Sequence, residues 1–80
     1  MQLINNSRFS VAYTVTLSTP NAYNGSILGG GDANIPQPAF SVEGDAGRLG
    51  KASAQGVPST ASVTFTVQNS VLHIQVEYSG

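Results

Sequence analysis

The chain has 80 residues with no cysteine and one histidine, which allows a single all-β domain over 1–80 and excludes disulfide frameworks, Cys-rich zinc sites and two-histidine metal sites. Only 9% of the residues are charged, against about 25% in an ordinary domain, and the net charge is −1. Without a basic cluster nucleic acid is excluded as a partner, and a charge near zero leaves little colloidal repulsion to oppose association.

Met1-Gln2-Leu3-Ile4-Asn5-Asn6 lacks the basic start and apolar run of a targeting segment. No apolar run reaches the roughly 20 residues of a membrane-spanning helix. Extracellular and cytoplasmic locations both stay open.

The first clear strand follows. Phe9, Val11, Tyr13, Val15 and Leu17 alternate with Ser10, Ala12, Thr14 and Thr16. This period of two marks a strand with one buried face, and puts Tyr13 on the core side. Leu3 shares the odd phase, so the strand is expected to begin near Leu3, with a bulge or kink at Asn5-Asn6-Ser7. Thr19-Pro20-Asn21 ends it, because proline has no N–H to give the ladder. Asn24-Gly25 reads as a hairpin turn.

Glycine and proline punctuate residues 19–60. Short strands fit at 26–28, at 39–43 with Phe40 and Val42 inward, and at 51–55, where Ala52 and Ala54 offer a thin core face. No stretch combines helical periodicity with caps, so little or no helix is expected. Gly29-Gly30-Gly31 reads as a tight turn, since no Lys-Ser/Thr follows it as a phosphate loop would require.

The last segment reads as a hairpin whose halves match each other. With a two-residue loop at Asn69-Ser70, Val67 faces Leu72, Phe65 faces Ile74, Val63 faces Val76 and Ala61 faces Tyr78. On the other side Thr66 meets His73, Thr64 meets Gln75 and Ser62 meets Glu77. A one-residue slip would turn one strand over and destroy this matching. The whole reads as a small antiparallel β-sandwich or open barrel of about five to seven strands, ending in that C-terminal β-hairpin.

Little in the chain points to catalysis. His73 is the only neutral-pH base, and no nucleophile elbow or related motif accompanies it. On a strand face it suits an interface, where it can act as a pH switch. Asp32, Glu43 and Asp45 lie in Gly-rich stretches that read as turns. Turn carboxylates can hold calcium, but the full EF-hand pattern is missing, and turn aspartates ordinarily bond their own backbone. No metal or cofactor is therefore assigned.

Two binding surfaces are expected. Tyr23, flanked by Asn21 and Asn24, reads as a loop aromatic able to stack on a sugar or pack on a partner, with Asp32 in a neighbouring outward loop. The second is a set of uncharged strand faces. Thr14, Thr16, Thr64, Thr66 and His73 are the expected subunit interface, because strand edges and faces of monomers are usually protected by charge. Asn5-Asn6-Ser7 and Asn24-Gly25-Ser26 match the glycosylation acceptor pattern. Val/Tyr/Phe alternating with Ser/Thr/Ala also fits strands that face lipid on one side, although ordinary half-buried strands show the same pattern.

Ile4-Asn5-Asn6-Ser7-Arg8-Phe9-Ser10-Val11 resembles the first strand of aegerolysin-type β-sandwich proteins, which bind membrane lipids. The chain is shorter than that family and lacks its tryptophans, and no functional residue carries over. The expected function is a non-enzymatic, self-associating module, a homo-oligomer or assembly subunit. The alternative is a carbohydrate- or lipid-binding sandwich with a glycan or lipid ligand.

Overall fold

The computed structural model describes residues 1–17 and 21–78. Eight strands among them form two four-stranded sheets packed face to face, a sandwich and not a closed barrel. In chain order they are β1 (Gln2–Asn5), β2 (Val11–Thr16), β3 (Ala22–Ile27), β4 (Asp32–Asn34), β5 (Ala39–Asp45), β6 (Lys51–Val57), β7 (Ser62–Gln68) and β8 (Val71–Glu77). One turn of 3-10 helix, Gly47–Leu49, is the only helical element described. The first sheet has the order β4-β1-β7-β8, and the second β3-β2-β5-β6.

The sequence led us to expect one long first strand. The structure breaks it in two. β1 belongs to the first sheet and β2 to the second, so residues 6–10 turn a corner between the layers. Asn5 builds that corner. Its side chain is fully buried, and its Nδ2 donates to the carbonyls of Phe9 at 2.6 Å and Ile27 at 2.9 Å. Its Oδ1 accepts from the Ser7 hydroxyl at 2.6 Å. A buried amide with its groups satisfied avoids the desolvation cost of an orphan. Alternation restarts only at Val11, which leaves Phe9 43% exposed instead of inward as its phase suggested.

All pairings are antiparallel except β1 with β7, which is parallel. An all-antiparallel sheet was the expectation. The long path between β1 and β7 passes through the second sheet, and such a crossover is what a parallel pair requires.

The C-terminal hairpin has the predicted register. Val63 pairs Val76, Phe65 pairs Ile74, Thr66 pairs His73 and Val67 pairs Leu72. Asn69 and Ser70 have φ of 53° and 62°, the doubly positive pattern of a type I′ turn that suits strand twist. The expected meeting of Ala61 and Tyr78 is absent, and Tyr78 is 65% exposed. Ala61 instead closes a turn by donating to the Pro58 carbonyl at 3.1 Å, so the ladder stops at Ser62 and Glu77.

Leu3, Val63, Phe65 and Leu72 of the first sheet meet Val11, Val15, Ile27, Val42 and Val57 of the second to form the core. Ala52 and Ala54 pack against it, partly buried. Phe40 does not join them and is 63% exposed. The reason is a phase change shared by two strands. Ala39 and Val42 are both buried although three residues apart, and Ala54 and Val57 repeat that spacing opposite them. The ladder skips Phe40 and Gly56, and Gly56 has φ 66°, a conformation that favours glycine. Phe40 is thereby turned outward.

Candidate functional site

The second sheet ends in β3, and β3 is where three predicted residues meet. Asn24-Gly25 is not a turn but the middle of this strand, pairing Thr14 and Tyr13 of β2. The hairpin closes nearer Leu17, whose N–H donates to the Asn21 carbonyl at 3.1 Å. The expected strand end at Thr19-Pro20 lies outside the described residues. Gly25 is needed where it stands. A Cβ there would lie 2.9 Å from the Tyr13 hydroxyl and 3.1 Å from Cζ, so the Tyr13 ring occupies the space a side chain would take.

Five of the six β3 residues are exposed. Tyr23, expected in a loop, sits in this strand opposite Val15. Directly opposed residues share a face, so Tyr23 lies on the core side of the sheet at its outer edge, still 36% exposed. Asn24 lies on the outer side, and Asn21 just precedes the strand. Asp32 does not join them. It starts β4 in the other sheet, where its carboxylate accepts from the Gln2 amide at 2.9 Å.

The predicted interface residues divide between two surfaces. Thr14 and Thr16 lie on the outer face of the second sheet, with Thr14 between Asn24 and Glu43. Thr64, Thr66 and His73 lie on the outer face of the first sheet, across the sandwich. A single face-to-face contact cannot use both.

The four outer strands differ in how they are protected. β4 has three residues and carries Asp32. β8 carries Glu77 and lies alongside β6, which carries Lys51 and the irregularity at Gly56. β3 alone among the described outer strands has no charge, and it has neither proline nor bulge. Such an edge presents unpaired N–H and C=O groups as a template for another strand.

The acidic stretches behave differently from expectation. Glu43-Gly44-Asp45 is the end of β5 and not a turn. Asp45 accepts from the Gly47 N–H at 2.9 Å, a local backbone bond, and lies 4.0 Å from Lys51 Nζ in an exposed pair. No group of three His, Cys, Asp or Glu able to hold a metal ion occurs among the described residues. Gly29–Gly31 does make a tight turn, with the Gly31 N–H donating to the Leu28 carbonyl at 2.8 Å. Asn5 of the first glycosylation pattern is buried, whereas Asn24 of the second is exposed.

Sequence reading missed a cleft of about 320 Å³ at the corner end of the sandwich. Arg8 and Phe9 from the corner, Leu49 from the 3-10 turn, and Val67 and Ser70 from the hairpin line it. Arg8 has no ion-pair partner among the described residues. These residues come from three separate stretches of chain, so no local motif announces them. Among the described residues, no helix is long and apolar enough to cross a membrane. No protein-family model, curated protein or solved structure matches the chain.

Proposed function

We propose that this protein is a self-associating structural module without catalytic function, whose copies join along the free edge of β3. The observation that supports this reading is the bare edge itself: six residues, five exposed, none charged. Main-chain hydrogen bonds across such an edge give affinity without any special side chain. The low charge of the whole chain leaves weak repulsion between copies.

The direct test is the native mass by light scattering across a dilution series. A defined oligomer that dissociates on dilution is the expected result. A monomer at high concentration would overturn the reading. In Asn24→Lys the charge sits on the edge strand itself, and this variant should stay monomeric.

The Arg8 cleft favours a second reading, a carbohydrate- or lipid-binding sandwich. An exposed aromatic ring beside a guanidinium suits a sugar ring or a lipid headgroup. Retention on immobilised glycans or on liposomes should then be lost in Arg8→Ala and Phe9→Ala. Retention unchanged in both variants counts against it.

A further inference from the structure

Resting on the edge-association reading, we infer that two copies pair β3 with β3 antiparallel about a two-fold axis through Gly25. The register follows from side-chain parity and from what each alternative leaves exposed.

An antiparallel pair of identical strands must oppose residues that share a face, since a slip of one residue puts core-side groups against outward ones. That condition leaves axes on a residue and removes axes between residues. Three residue-centred axes fall near the middle of the strand: Asn24, Gly25 and Ser26.

An axis on Asn24 sets Tyr23 opposite Gly25 of the partner subunit. The space over Gly25 already holds the Tyr13 ring, 2.9 Å from where a Cβ would stand. Two tyrosines would then compete for one position. An axis on Ser26 sets Ile27 over the same glycine and leaves Tyr23 beyond the paired segment.

An axis on Gly25 has neither fault. Gly25 meets its own copy, so no side chain competes with Tyr13. Tyr23 meets Ile27 of the partner subunit on the core side, an aromatic and β-branched pair of the kind that stabilises sheets. Asn24 meets Ser26 of the partner subunit on the outer side, two neutral groups able to hydrogen-bond. At the strand end Ala22 meets Leu28 of the partner subunit. Leu28 is 73% exposed in the single copy, and this register covers it along with Tyr23. The pairing joins two four-stranded sheets into one continuous sheet across the dimer. A two-fold contact of this kind closes on itself and gives a dimer, not a filament.

The chain has no cysteine, so single-cysteine variants report the register without background. Asn24→Cys and Ser26→Cys lie on exposed outer positions. They are mixed, oxidised in a thiol–disulfide buffer, and compared with each variant alone, while light scattering gives the mass of the wild type. The Gly25 axis sets position 24 directly opposite position 26, within disulfide reach. Position 24 is then only diagonal to its own copy, at about 7–8 Å or more. The expected result is several-fold more disulfide dimer in the mixture than in either variant alone. Faster dimer formation by Asn24→Cys alone, or by Ser26→Cys alone, would overturn the Gly25 axis in favour of a shifted one. A wild-type oligomer with no cross-link in any sample would overturn pairing through β3. A wild-type monomer throughout the dilution series would overturn the association reading itself.

Discussion

The ring of Phe65, on β7 of the first sheet, rests directly on Gly44, on β5 of the second: a Cβ on Gly44 would come within 2.5 Å of Phe65 Cε1 and 2.9 Å of Cδ1. The two sheets touch here, side chain against bare backbone. Close-packed interiors leave no slack for an added methyl group at such a point.

Gly44→Ala should therefore destabilise the fold, by about 1–3 kcal/mol for an overpacked core. In an ordinary strand position the same change removes unfolded-state freedom and stabilises. Chemical denaturation separates the two. An unchanged or raised midpoint would show that Phe65 can move aside at no cost.

Asn5 holds the corner by donating to two carbonyls from different segments. Asn5→Asp keeps the shape but replaces the donor with an acceptor, so the Ile27 carbonyl loses this bond and the Phe9 carbonyl keeps only the longer one from the Ser7 hydroxyl, at 3.3 Å. The expected loss is about 1–3 kcal/mol for each buried group left unsatisfied. Thermal unfolding of Asn5→Asp beside Asn5→Ala checks this. Wild-type stability in both variants would remove Asn5 from its structural role.

Ser70 adopts φ 62° in the hairpin turn, where an L side chain is strained. Ser70→Gly gives the Asn-Gly pair that this turn type favours. Stability should rise by about 0.5–1 kcal/mol, the strain relieved less the entropy that glycine loses on folding. A fall in melting temperature would contradict the observed turn geometry.

Edge pairing and face pairing respond to different substitutions. Thr64→Lys places a charge on the outer face of the first sheet, away from β3. If copies join through β3, the mass of Thr64→Lys matches wild type while Asn24→Lys is monomeric. The reverse pattern, seen by light scattering at equal concentration, would move the contact to the Thr-rich face around His73.

Part of this fold is legible in the sequence. The hairpin of β7 and β8 is, because each residue's partner lies a few positions away and the alternation of both strands must agree. The inward placing of Val11, Val15 and Leu17 follows from period-two alternation, and the near absence of helix among the described residues from the lack of any stretch that joins helical periodicity to caps. The uncharged outer strand β3 was legible only as chemistry. Uncharged residues around Tyr23 were visible, but their place in an outer strand was not.

Period-two alternation and local turns are short-range properties, and they carry the all-β class, the inward phase of Val11 to Leu17 and the register of the β7–β8 hairpin. Tertiary structure alone decided that Asn5 turns the chain between sheets, that β1 lies parallel to β7, and that Asn24-Gly25 runs straight through a strand. It also turned Phe40 out and gathered Arg8, Phe9 and Val67 around one cleft. Each of these depends on groups far apart in the chain meeting in the packed molecule: an amide satisfied by Ile27, a tyrosine ring lying over Gly25, and a glycine opposite Phe40 that shifts the phase of two strands at once.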